Sequence, residues 1–154
     1  MNEIKRILDQ MDRAFAGEAW HGPSVMPLLE GMTSDDASAR PIRDTHSIWE
    51  LVNHIAAWNT IVQHRAAGEA VKDVTAERDW PPVWEASEVA WKRALEDLKA
   101  SRARLRGVVE RLREDQLDQR APGEEYSIYF MLHGLIQHDL YHAGQIAILK
   151  KALR

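Results

Sequence analysis

A seven-residue repeat of large apolar side chains in the second half of the chain constrains the fold most. The repeat consists of Trp91, Leu98, Leu105 and Leu112. Such spacing is typical of helices packed in left-handed bundles, and it predicts a long helix over about residues 83–112. Arg102 interrupts the companion series formed by Leu95 and Val109. We expect its stem to lie on the core and its charged head to reach water.

Three further amphipathic helices are predicted from apolar spacing. The first covers about residues 2–19, the second runs from a capping box at Ser47 and Glu50 to about residue 66, and the last is capped by Ser127 and extends toward residue 154. Residues 25–30 favour a short helical turn, whereas residues 31–45 and 115–123 favour loops. With no strand pattern, the chain is predicted to be an all-α four-helix bundle and a single domain over residues 1–154.

The polar connection of residues 68–82 leaves the helix directions open. It is long enough to cross one end of a bundle, or to run its full length if the next helix is parallel to the second. Pro81 and Pro82 lie at its end. Because proline is tolerated in the first helical turn, we expect these two residues to begin the third helix.

Composition excludes several function classes. The formal net charge is −4 with both signs mixed along the chain, so nothing in it favours binding to nucleic acid. The chain has no cysteine, which leaves histidine, carboxylates and water as metal ligands. No stretch is apolar enough to be a signal peptide or to span a membrane, and we expect a cytoplasmic protein.

Two histidines on the last predicted helix indicate a metal site. His138 and His142 are four residues apart on the inward stripe, so their rings stack about 6 Å apart and can chelate one ion. The alternative is a pair of core histidines, each hydrogen-bonded to a carbonyl or an acid. His54, on the flank of the second helix, is the candidate third ligand. Three imidazoles with an open position are a common coordination set of catalytic divalent metals.

Other polar and aromatic residues have weaker signals. Glu50 could act as a general base, but its capping-box position is a sufficient structural explanation. Asp139 and Gln145 are candidates to orient an imidazole. The remaining histidines are expected in turns, at the surface or beside the site, and are His21, His46, His64 and His133. Candidate pocket-lining tryptophans are Trp20, Trp58 and Trp84.

Two segments resemble the DinB-like superfamily, also called DinB/YfiT-like. Residues 45–58 carry a histidine after a Trp-Glu-Leu helix start, and residues 138–146 carry His-x3-His-x2-Gln. The turn at residues 20–24 is also similar to the start of many members. The resemblance implies a bundle with one long crossover connection, commonly a homodimer. It further implies a divalent metal, often nickel or zinc, held by His54, His138 and His142.

The resemblance defines the expected site better than the expected reaction. Characterised relatives include thiol-dependent S-transferases and a thiol-dependent isomerase. The first hypothesis is therefore a metal-dependent enzyme that activates a low-molecular-weight thiol or a water against a small-molecule substrate, as an S-transferase or a hydrolase. The alternative is a non-catalytic dimeric bundle whose metal is structural or absent. No catalytic residue beyond the three ligands is assigned.

Overall fold

The computed structural model describes residues 2–154 and begins with a capped amphipathic helix. Helix α1 spans Glu3–Phe15, and the side chain of Asn2 accepts a hydrogen bond from the Lys5 amide. The helix ends earlier than the predicted residue 19. A short antiparallel pair follows instead, β1 at Glu18–Ala19 and β2 at Gly22–Pro23. No strand was predicted here, because two-residue strands are too short to show an alternating pattern.

Two short helices precede the second long helix. Helix α2 spans Val25–Leu29, which agrees with the predicted helical turn. Helix α3 spans Ser34–Ser38 inside the predicted loop. Its N-terminus is a capping box in which Thr33 accepts from the Asp36 amide and Asp36 accepts in return. The spacing of this capping box is a sequence signal for a helix start, and the predicted loop did not take it into account.

The second and third long helices begin at serine caps. Helix α4 spans Ile48–Ala66, with the predicted capping box present. Residues 67–87 connect it to α6 and contain the one-turn helix α5 at Ala76–Asp79. Helix α6 spans Glu88–Glu110, and Ser87 provides its N-cap. The predicted start at Pro81 and Pro82 was therefore wrong, because a better capping residue lies further along the chain.

The last long helix presents the two neighbouring histidines. A single 3₁₀ turn at Glu114–Gln116 lies just before it, across the start of the predicted loop. Helix α7 spans Ile128–Ala152, and the Ser127 hydroxyl accepts from the Phe130 amide as predicted. The expectation of an all-α fold is confirmed.

Contacts between side chains define the directions of the long helices. Trp49 packs on Trp91 with ring centroids 5.2 Å apart, and Asn59 donates to Ser101 at 3.0 Å. The later residue of α4 contacts the later residue of α6, so α4 and α6 are parallel. Residues 67–87 therefore return along the bundle as one long crossover. Helix α7 runs antiparallel to α4, because Leu51 of α4 shares a pocket with Leu149 of α7, whereas Val62 further along α4 shares one with Met131. Residue 54 lies opposite residues 138 and 142.

The core is divided by a layer of buried polar residues. On α4 and α7 two apolar clusters meet at the level of His54 and His142. The layer also contains Asn59, Ser101, Arg102 and Asp139. Such groups need partners inside the protein, since an unpaired buried polar group costs about 1–3 kcal/mol. The candidate site belongs to this layer.

Arg102 contradicts the sequence-based expectation. Its side chain is buried, and its Nη2 atom donates to the carboxylate of Asp139 on α7. The guanidinium carbon also lies 4.5 Å from the ring centroid of Phe15. The predicted water-exposed head was wrong, because α6 alone does not show that a neighbouring helix supplies a buried counter-charge.

Candidate metal centre

The three predicted histidines come together inside the bundle. His54 faces inward from α4, and helical periodicity brings His138 and His142 to the same face of α7, about one turn apart. The ring centroid of His54 lies 4.8 Å from each of the other two. His54 and His142 are buried and His138 is partly buried. Three imidazoles therefore share one small region of the core.

The Nε2 atoms of the three rings converge on one another. The Nε2 atom of His138 lies 2.9 Å from that of His54 and 3.0 Å from that of His142. One potential ligand atom from each residue lies within 4.8 Å of the others. In a tetrahedral zinc site, nitrogens about 2.1 Å from the ion are roughly 3.4 Å apart. Small ring rotations would bring the three atoms to that spacing.

The outer nitrogens of two rings have acceptor partners. His54 Nδ1 lies 2.6 Å from the backbone oxygen of Asp79, which can only accept. His142 Nδ1 lies 2.6 Å from the side-chain oxygen of Gln145. Both Nδ1 atoms therefore carry a proton and donate. In a neutral ring this leaves the Nε2 lone pair free and aimed at the centre.

Burial keeps the three rings neutral. It lowers the pKa of His138 to about 3, with help from His142 and His54. Burial also lowers the pKa of His54 against the opposing carbonyl and carboxylate of Asp79, and it lowers that of His142 against its bond to Gln145. Neutral imidazole is the form that binds a metal ion.

These residues fit a divalent cation. Two lone pairs, on His54 and His142, point at the same atom of His138, which has a single proton to offer at most. One of the two lone pairs is therefore left without a donor, and a shared cation would satisfy all of them. His138 Nδ1 is buried and has no hydrogen-bond partner among residues 2–154, so this ring lacks the orienting contact of the other two.

A tryptophan from the crossover connection completes the surroundings of His54. The indole of Trp80 stacks on His54 at 3.8 Å and on His46 at 3.6 Å. Asp79, its neighbour, accepts from the indole nitrogen of Trp58 at 2.7 Å through its carboxylate. Neither Asp79 nor Trp80 was predicted to lie here, since an irregular polar connection shows no periodic signal.

Of the remaining polar residues that the sequence suggested for the site, one contacts an imidazole of the triad and two do not. Gln145 orients His142 as expected, whereas Asp139 pairs with Arg102 and reaches no imidazole. Glu50 accepts from the Ser47 amide and from Arg40, in keeping with its capping role.

Three of the other histidines and two of the tryptophans lie away from the triad. His64 bonds Glu69, His133 contacts Tyr129 with the two rings tilted by 42°, and His21 is exposed. Trp20 and Trp84 are exposed, so their predicted place in the pocket was wrong.

The triad opens onto a cavity of about 500 Å³ between α4 and α7. Its lining is mostly apolar and aromatic, and Trp58 belongs to it as predicted. Tyr126, which the sequence did not suggest, lines the same cavity. A ligand of small-molecule size could therefore reach the Nε2 atoms.

Fold and site together define a helical-bundle protein with a buried three-histidine cluster that could bind a metal. The chain belongs to the DinB superfamily, whose family model matches residues 20–146. A solved structure described as that of a conserved protein of locus from Enterococcus faecalis is similar, with a TM-score of 0.68 and 20% identity. The match covers 99% of this chain and 97% of that chain, and at this identity it shows a shared fold alone.

None of the curated protein sequences is significantly similar to this chain. Across residues 2–154, the helices are all too short or too polar to cross a membrane. The homodimer, the single domain and the cytoplasmic location stay predictions.

Proposed function

We propose that this protein is a metal-dependent enzyme that uses a divalent ion, nickel or zinc, to activate a thiol or a water against a small-molecule substrate. His54, His138 and His142 would hold the ion. The observation that carries the proposal is the convergence of three neutral Nε2 atoms beside a cavity of about 500 Å³.

The chemistry follows from the charge of the ligand set. When bound, a divalent ion supplies Lewis acidity that brings the pKa of a coordinated water or thiol toward neutrality. Three neutral imidazoles leave the full double charge available for this effect. The largely apolar walls lower the polarity around the Nε2 atoms, which strengthens electrostatic interactions there.

Residues around the triad keep its geometry. Asp79 and Gln145 fix the tautomers of His54 and His142, so that both lone pairs point into the site. Trp80 restricts the rotation of the His54 ring. This preorganisation supports a functional site over a structural polar layer, in which the inner nitrogens would need hydrogen-bond donors.

Metal analysis tests the ligand set. Protein purified without a histidine tag should contain or take up about one equivalent of zinc or nickel, measured by elemental analysis and calorimetry. His54→Ala and His138→Ala should each abolish tight binding. Matched controls are His64→Ala on α4 and His133→Ala on α7, which should bind like the parent. Equal metal binding by all four variants would contradict the proposed metal centre.

Substrate panels test the reaction. Metal-loaded protein is assayed with cellular thiols plus an electrophile, and separately with esters. Turnover that depends on His54 supports the enzyme and distinguishes a transferase from a hydrolase. One equivalent of tightly bound metal, with unfolding on chelation and no turnover in either panel, would favour a non-catalytic bundle.

A further inference from the structure

The triad lies toward one end of an elongated groove. Residues of α7 line it from Phe130 to His142, a span of thirteen residues and about 18 Å along the helix axis. Residues of α4 line it from His54 to Val62, about 12 Å. A substrate that reacts at the triad would therefore extend along α7 toward Tyr126.

Five of the thirteen residues that line the groove are tryptophan, tyrosine or phenylalanine. They come from α4, from the crossover connection, from the loop before α7 and from α7 itself, and they are Trp58, Trp80, Tyr126, Phe130 and Tyr141. Phe130 and Tyr141 are 64% and 66% exposed, although large apolar side chains are usually covered. Both lie at the rim, where a flat ligand could stack on them.

The charges around the groove disfavour an anion along its length. Within the described part of the chain, its lining includes the carboxylate of Asp79 and no lysine or arginine. Arg65 is close, with its Nη1 atom 2.7 Å from the Tyr126 hydroxyl. However, it is buried, and it pairs with Glu124 at 2.5 Å, so its charge is neutralised behind the wall.

We propose that this groove binds an elongated aromatic substrate that carries no anionic group along its length. The inference rests on the metal-dependent activity proposed above. A carboxylate or sulfonate placed beside Phe130, at the end of the groove away from the proposed ion, would lose its hydration without gaining a cationic partner, which is unfavourable. An uncharged ring would gain stacking and apolar burial at the same position.

Two fluorescent probes test whether an anionic group weakens binding to the groove. N-phenyl-1-naphthylamine is neutral, and 1-anilinonaphthalene-8-sulfonate has the same rings plus a sulfonate. The affinities are measured with zinc-loaded full-length protein and again after chelation, because the ion itself would attract a sulfonate. After chelation, the neutral probe should bind at least about tenfold more tightly. Asp79→Asn should reduce the ratio of the two affinities, because removal of the carboxylate charge improves binding of the sulfonate. Loss of ring contacts would not produce this change.

Two glycines on α7 provide a matched pair of variants. A Cβ atom added at Gly134 or at Gly144 meets nothing within 4 Å, but only Gly134 lines this groove. Gly134→Leu should therefore weaken the neutral probe about tenfold or more by filling the groove. Gly144→Leu should leave the affinity unchanged. Both changes raise helix propensity, so neither should unfold α7.

The outcomes separate this inference from the proposed function. Equal affinity for the two probes after chelation, or neutral-probe binding unaffected by Gly134→Leu, would overturn the charge and groove assignment. Metal content is measured in the same samples. Retention of one metal equivalent in Gly134→Leu shows that the groove, not the centre, was blocked. A parent protein that selects the neutral probe but binds no metal would overturn the proposed function while supporting the groove.

Discussion

The indole of Trp80 lies parallel to the imidazole of His54, with ring centroids 3.8 Å apart and planes inclined by 7°. His46 stacks on the same indole at 3.6 Å, also inclined by 7°. Two rings at these distances cannot share one face, so Trp80 is enclosed between the two imidazoles. The crossover connection thereby holds the one histidine of the triad that comes from α4.

Removal of this indole should weaken metal binding without removing a ligand. In Trp80→Ala, His54 keeps its bond to the Asp79 carbonyl but loses the stacking that fixes its ring plane. Loss of contacts that orient a ligand typically reduces metal affinity about 10- to 100-fold. Competition titration of zinc against a chromophoric chelator measures the change.

Trp84→Ala is the matched control, because Trp84 belongs to the same connection and is 84% exposed. It should bind zinc with parental affinity. If the two variants bind zinc equally well, the stack has no role in holding His54.

The bond between Gln145 and His142 leads to a second prediction. Gln145→Leu removes the acceptor of the Nδ1 proton, so the ring can adopt the other tautomer and turn its lone pair away. Zinc affinity should fall by about tenfold or more. Gln137→Leu, at an exposed position of the same helix, is the control. An undiminished affinity in Gln145→Leu would show that the tautomer is fixed by other contacts.

The metal-free protein should lose stability in weak acid. Burial lowers the pKa of His138 from 6.5 to about 3, so between these values the unfolded chain binds a proton that the folded chain does not. The free energy of unfolding is therefore unaffected by this group above about pH 6.5 and falls as the pH drops toward 3. The slope is at most about 1.4 kcal/mol per pH unit for one histidine.

Urea unfolding in the presence of a chelator, at pH 7.5, 6 and 5, measures this slope. His138→Gln cannot titrate and should show a shallower dependence, though His54 and His142 still contribute in the same direction. Gln137→Leu, which replaces no titratable group, should keep the parental slope. A stability that is constant or rising between pH 7 and pH 5 would contradict the prediction.

Periodicity explains which parts of the site could be predicted from the sequence. A helix fixes the relative directions of its own side chains, so His138 and His142 were assigned to one inward stripe, and His54 to the flank of an apolar face. The serine caps fixed where α4 and α7 begin. These are local relationships, and the structure preserves them.

The contacts that depend on packing between elements could not be predicted in the same way. Asp79 ends a single helical turn in a polar connection and Trp80 follows it, and only the path of that connection brings them to His54. Tyr126 reaches the cavity from the loop before α7. In each case the informative partner lies on another element, at a sequence distance that no spacing rule covers.

The pair formed by Arg102 and Asp139 gives the last prediction, which concerns stability. Both side chains are buried, one on α6 and one on α7. Replacement of Arg102 by Met would leave an unpaired carboxylate in the core, which typically destabilises a protein by about 3–5 kcal/mol. Arg104→Met, at an exposed position of α6, should change the free energy of unfolding by no more than about 0.5 kcal/mol.

A double variant tests whether the two charged side chains stabilise the protein only as a pair. Replacement of both charges by apolar groups of similar volume is often neutral or stabilising. Arg102→Met with Asp139→Leu should therefore recover much of the stability that Arg102→Met loses, as measured by urea denaturation. Because the Asp139 carboxylate bonds Arg102 and reaches no imidazole, zinc affinity should recover together with the stability. If the loss in the free energy of unfolding of the double variant equals the sum of the losses of the two single variants, the two side chains do not act as a pair.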